Sequence, residues 1–241
     1  MRALVVGGSS GIGLSIVLNL VGRESCDRVY VLDKAEFPSA FKSDKIAPSI
    51  CDLSLGDYSC LVGIDDIDAL YITAGFGHLK LFQELSEGYI QSSFAVNAIA
   101  PIQIIRHYYD RMLADKDFTC GVMVSIAGRL SSPLFSVYSA TKAALSKFIE
   151  AVNVELDVQG SKNRILEVSP GSLKGTGFTG GPSQPVLTAA LAKEIICRAE
   201  SHEELFIPKY EEVFKDVIAR YGADAHRFGV ESYWYKKKGR E

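Results

Sequence analysis

Five short apolar runs, rich in β-branched residues, punctuate the chain at 3–6, 28–32, 69–72, 121–125 and 165–168. Between them lie longer stretches of helical period at about 11–22, 86–114, 136–158, 187–200 and 209–221. Strands that read as continuous apolar runs are buried on both faces, and parallel neighbours need a crossover helix. The alternation therefore predicts a doubly wound α/β domain, one open parallel sheet between two helical layers, with residues 1–241 as a single unit. The stretch 172–185 breaks the periodicity with Gly175, Gly177, Gly180, Gly181, Pro182 and Pro185, and is expected to form a flexible substrate loop.

Composition narrows the partners. With 47% hydrophobic and 23% charged residues, the chain has the material for one large core. A net charge of -3 gives no pull toward phosphate backbones or anionic lipid, so neither nucleic acid nor membrane is an expected partner. The apolar residues before Gly7 are too few for a signal peptide, and no run reaches membrane-spanning length, which predicts a cytoplasmic protein. Cys26, Cys51, Cys60, Cys120 and Cys197 are odd in number and form no CxxC, so neither a disulfide framework nor a metal site is expected. The basic, aromatic stretch 233–238 is expected to be a solvated tail or a subunit contact.

Two constellations carry chemistry. The first apolar run ends in Gly7-Gly8-Ser9-Ser10-Gly11-Ile12-Gly13, and a helical pattern opens there. Glycines let such a turn approach a pyrophosphate, and the free N–H groups and positive end of the helix favour its charge. Asp33 closes the second run, where a carboxylate accepts hydrogen bonds from ribose hydroxyls and repels a 2'-phosphate. NAD is the expected cofactor, with NADP left open by the adjacent Lys34. The second constellation is Tyr138 and Lys142, four residues apart and so on one helix face. A tyrosine is a poor base at neutral pH, and a nearby cation stabilises its phenolate.

These motifs, in this order, resemble the short-chain dehydrogenase/reductase family over nearly the whole chain. Gly7 to Gly13 resembles the family's TGxxxGIG, and Tyr138/Lys142 its YxxxK. Ser125 lies thirteen residues before the tyrosine, as the family's catalytic serine does, and Asn97 matches its catalytic asparagine. Asp52-Leu53 match the pair beside the adenine, Thr73-Ala74-Gly75 the end of NNAG, and Pro170-Gly171 the turn near the nicotinamide. The resemblance implies a three-layer Rossmann fold that interconverts an alcohol and a ketone or aldehyde. Asn97, Ser125, Tyr138 and Lys142 would be catalytic. Gly7, Ser9, Ser10, Gly11, Ile12, Gly13, Asp33, Asp52, Leu53, Ala74, Gly75, Pro170 and Gly171 would join Tyr138 and Lys142 in holding the cofactor. It also implies a homodimer or homotetramer, with Phe148 and Val152 in the seam.

Three departures stand out: Val6 replaces the threonine of the glycine motif, Ile72-Thr73 replace the two asparagines of NNAG, and Thr176 comes one residue later than usual. The bonds that brace the turn must then be made differently or be absent. His78 and Lys80 read as solvated loop residues, while Arg129 and Phe135 are candidate pocket residues for which packing or exposure is equally open. The competing reading is a catalytically silent dinucleotide-binding sensor or scaffold on the same fold.

Overall fold

Each of the five apolar runs becomes a strand, and two shorter strands join them. In the computed structural model, which describes residues 1–179 and 182–238, β1 (Arg2–Val6), β2 (Arg28–Asp33), β3 (Ile46–Ile50), β4 (Ala69–Ile72), β5 (Thr119–Met123), β6 (Ile165–Val168) and β7 (Leu205–Phe206) form one sheet. Its order is β3-β2-β1-β4-β5-β6-β7, and every pairing is parallel. The order reverses between β1 and β4, the place where open α/β sheets leave a crevice for ligands.

Side chains alternate across each strand, so the sheet feeds two cores. Leu4, Val6, Leu70, Ile72, Cys120 and Val122 face one side and pack with Ile104, Leu145, Ile149 and Leu156. Ala3, Val5, Ala69, Tyr71, Leu166 and Val168 face the other and pack with Ile16, Val17, Leu20, Ile195 and Ile196. The α-helices in chain order are α1 (Gly11–Val21), α2 (Glu87–Phe94), α3 (Ala100–His107), α4 (Tyr109–Leu113), α5 (Ser136–Val158), α6 (Pro185–Glu200), α7 (Lys215–Ala223) and α8 (Ala225–Lys238), and the helical residues just named come from α1, α3, α5 and α6.

Several expectations change. The helix expected over 86–114 is broken into α2, α3 and α4, with a π-helical turn at Ala95–Ile99 between the first two. Pro101 explains that turn: it has no N–H to give the carbonyl of Asn97 four residues earlier, and its ring crowds that oxygen. β3 escaped the pattern because it holds Pro48 and exposes Ser49 and Ile50, as an edge strand can. β7 is two residues long and carries no readable period.

The stretch 233–238 is not a free tail but the end of α8, which returns toward residues 131–136. Cys51 and Cys60, expected to be free, meet as a disulfide with their Cα atoms 6.2 Å apart. Short 3-10 turns at Leu53–Leu55 and Ser59–Leu61 fold the intervening loop back on itself, which spacing alone does not reveal. Val152 is buried in the chain's own core and Phe148 is partly buried against that core; the exposed large apolar residues of α5 are Val154 and Val158. Among the described residues, no helix is long and apolar enough to cross a membrane.

Candidate active site

The glycine turn forms because its glycines have no substitute. Gly7 and Gly11 adopt φ values of 85° and 52°, a region that costs other residues strain. A Cβ on Gly13 would collide with the Gly7 carbonyl and the Thr73 hydroxyl, and one on Gly7 would lie 2.5 Å from Ala74 N. The missing family bonds are made differently: Thr73 Oγ1 donates to Val6 O at 3.0 Å and to Gly7 O at 3.1 Å, while Thr73 N and Ala74 N both donate to Val6 O. One hydroxyl on β4's exit thus replaces the bracing expected from the two motifs that differ.

Ser10 occupies the N-cap position of α1 without a side-chain capping bond, with Ile12 and Gly13 buried behind it. The Gly11 N–H donates to Ser183 Oγ at 2.7 Å, so an oxygen already sits where this helix end offers hydrogen to an acceptor. Thr176 packs against Gly11 from the same loop. Asp33 is fixed by backbone donors, Ser9 N to one carboxylate oxygen at 2.9 Å and Ala35 N to the other at 3.1 Å. Lys34 Nζ stands over the Phe76 ring, 6.0 Å from its centroid. Asp52 is exposed and accepts from both Ser54 N and Ser54 Oγ, which hold its carboxyl below the usual range, whereas Leu53 is buried in the core.

The four proposed catalytic residues converge at the carboxyl ends of the strands. Ser125 lies just past β5, where its Oγ accepts from Ala127 N at 3.1 Å and caps a 3-10 turn. Gly128 ends that turn and touches α5 so closely that a Cβ would stand 2.7 Å from the Lys142 backbone. Tyr138 and Lys142 both face inward from the first turns of α5. Burial pushes the Tyr138 phenol up from its ordinary pKa, and the neighbouring Ser125 hydroxyl opposes the rise. Lys142 Nζ donates to Met123 O at 2.9 Å and stands 6.0 Å from the Tyr138 ring centroid; burial brings its pKa down to about 8.

Asn97, at the centre of the π turn, is fully buried. Its Oδ1 accepts from Phe76 N at 3.0 Å, and its Nδ2 donates to Phe76 O at 2.8 Å and to Thr141 Oγ1 at 3.2 Å. π turns of this kind recur at functional sites. Gly75 borders both groups: a Cβ there would lie 3.2 Å from Asn97 Oδ1 and 3.3 Å from Lys142 Nζ. Pro170 is tied to the serine segment by Ile126 N, which donates to Pro170 O, and Phe214 presses on Gly171.

Sequence reasoning missed several neighbours. Thr141 links Asn97 to α5 by donating to Tyr138 O at 2.7 Å, and its place inside Tyr138-Ser139-Ala140-Thr141-Lys142 was the only available signal. Phe178, from the 172–185 loop, lies against Tyr138 with ring centroids 5.1 Å apart and also meets Phe135. Gly180 and Gly181 of that loop lie outside the described residues. Phe135 packs against Tyr138, with ring centroids 5.5 Å apart. Arg129 instead pairs with the buried Glu167, which also accepts from Ser146 and Ser169. His78 and Lys80 are exposed, His78 stacking on Tyr89.

The short chain dehydrogenase family matches residues 58–184. An uncharacterized short-chain type dehydrogenase/reductase of Sinorhizobium fredii is 31% identical over 71% of this chain and 69% of its own. An uncharacterized oxidoreductase of Saccharomyces cerevisiae is 27% identical over 73% of this chain, and the match spans 56% of that protein's length. The crystal structure of a short-chain dehydrogenase from Streptomyces avermitilis superposes with a TM-score of 0.74 at 21% identity, covering 100% of this chain and 99% of the other. By family match, relative and fold together, the chain belongs to the short-chain dehydrogenase/reductase family.

Proposed function

We infer that the protein interconverts an alcohol and a ketone or aldehyde with a nicotinamide dinucleotide, Tyr138 exchanging the proton. The observation that carries this reading is the meeting of Ser125, Tyr138, Lys142 and Asn97 beside a glycine turn whose close contacts exclude any side chain. The residues fit a dinucleotide. The Gly11 N–H already takes an oxygen acceptor, and Asp33 is held by backbone donors at the end of β2, the position from which a carboxylate serves ribose hydroxyls. When bound, the dinucleotide supplies the hydride acceptor or donor.

The chain's own groups do the rest. Tyr138 holds a proton at its hydroxyl for the substrate oxygen, and Ser125 Oγ hydrogen-bonds that oxygen as charge develops on it. Lys142, charged below its pKa of about 8, favours the phenolate after the proton leaves. Asn97 fixes the Phe76 backbone and Thr141, and so holds the floor on which Lys142 rests. Asp33 favours NAD over NADP by repelling a 2'-phosphate. The working unit in this reading is a cytoplasmic homodimer or homotetramer, consistent with the exposed Val154 and Val158.

Nicotinamide absorbance, followed with a panel of alcohols, ketones, sugars and acyl thioesters and separately with NAD(H) and NADP(H), tests the proposal. Turnover of at least one compound, faster with NAD(H), is expected. A preference for NADPH would overturn the reading of Asp33, and tight dinucleotide binding without turnover across the panel would favour a silent sensor.

A further inference from the structure

Lys236 reaches back from the last turn of α8 to the segment between Ser125 and Tyr138. Its Nζ donates to Ser132 Oγ at 2.7 Å and to Pro133 O at 3.0 Å, and stands 5.5 Å from the centroid of the Phe135 ring. That ring in turn lies 5.5 Å from the ring of Tyr138, so one aromatic side chain separates the ammonium from the phenol. The helix can come this close because Gly229 is buried against Ser131, where a Cβ would stand 3.2 Å from the Ser131 hydroxyl. Next to the two acceptors, Leu134 is held at a φ of 68°, while its carbonyl accepts from Lys80 N at 2.9 Å. Such a backbone persists only where its surroundings fix it, and it clusters at ligand sites.

An ammonium has three hydrogens to give, and Lys236 uses two of them on neutral oxygens. None of the described carboxylates pairs with it, although the lysines and arginines elsewhere on the surface commonly find one. The side chain is half-buried, and burial, with no opposing charge beside it among the described residues, brings its pKa down to about 8. A cation kept partly dry without a counter-charge is costly unless an anion completes it. Its surroundings toward Tyr138 are aromatic, with Phe135 and Phe178 in mutual contact.

We propose that Lys236 recognises a carboxylate or phosphate on the substrate, so that the pocket selects carbonyl compounds, or the corresponding alcohols, with an apolar body and one anionic substituent. The proposal rests on the reading of Tyr138 as the proton-exchanging group, since that reading places the substrate beside Phe135. Lys236 is then a specificity residue, which touches the far end of the substrate and not the reacting atoms. Its bonds to Ser132 and Pro133 also hold the turn, so the test reads charge selectivity, which a purely structural clamp would not alter.

The probes are benzoate, phenyl phosphate and neutral benzamide, titrated by calorimetry into the full chain with and without NADH, for the wild type and for Lys236→Met, which keeps the apolar stem over Phe135. The wild type is expected to bind benzoate or phenyl phosphate about ten-fold more tightly than benzamide, the worth of one charge-assisted hydrogen bond. The stronger of the two anions identifies the substrate as carboxylate or phosphate. In Lys236→Met that preference disappears while benzamide binds as before, which also reports that the variant is folded. Equal binding of anionic and neutral probes, a preference that survives in Lys236→Met, or no binding of any probe would overturn the proposal. These titrations need no turnover, so their failure is separate from a failure of the Tyr138 assignment, which is read from catalysis.

Discussion

Single residues decide whether the glycine turn works. Thr73 carries the bracing that other motif positions would otherwise supply, through one hydroxyl hydrogen shared between the carbonyls of Val6 and Gly7. Thr73→Val keeps the shape and removes that shared bond, and is expected to cost about 1 kcal/mol in denaturant unfolding and to weaken dinucleotide binding. An unchanged unfolding midpoint would assign the bracing to the backbone bonds of Thr73 and Ala74 alone. Much of this scale was legible: Gly7, Gly13, Asp33, Ser125, Tyr138 and Lys142 lie where their spacing put them, because a local turn and a helix face are set by residues near in sequence. The role of Thr73 was not legible, since it depends on which carbonyl of β1 faces β4. Leu53 is buried in the core, while the neighbouring Asp52 is exposed.

Elements hold these residues in register. Glu167, buried in the middle of β6, gathers Arg129 from the turn after Ser125, Ser146 from α5 and Ser169 from the approach to Pro170. One carboxylate therefore joins the three segments that carry Ser125, Tyr138 and the turn at Gly171. Arg129→Met strands that charge and is expected to destabilise the fold by about 3 kcal/mol, measured by chemical denaturation. A loss no larger than an ordinary surface substitution would show that the two serines satisfy Glu167 by themselves. The helical period over 86–114 predicts one rod, and the π turn at Ala95–Ile99 is invisible to it because its apolar spacing differs little from that of an α-helix. Pro101 is the local signal, and Asn97 sits at the centre of the turn before it.

For the whole molecule, the strand runs and crossovers made the doubly wound sheet readable, with the site at the order reversal between β1 and β4. Contacts between distant parts of the sequence were not readable. Lys236 meets Ser132 across 104 residues, Gly11 meets Ser183 across 172, and the return of α8 follows from packing at Gly229 and not from any pattern in the basic stretch. The central claim nevertheless rests on one hydroxyl. For the substrate that gives the best turnover, kcat of Tyr138→Phe is measured beside its dissociation constant for NADH. A fall in kcat of at least about 10²-fold is expected, with dinucleotide affinity within about two-fold of the wild type, since the ring still packs between Phe135 and Phe178 but has no proton to exchange. Turnover close to that of the wild type in Tyr138→Phe would contradict the assignment.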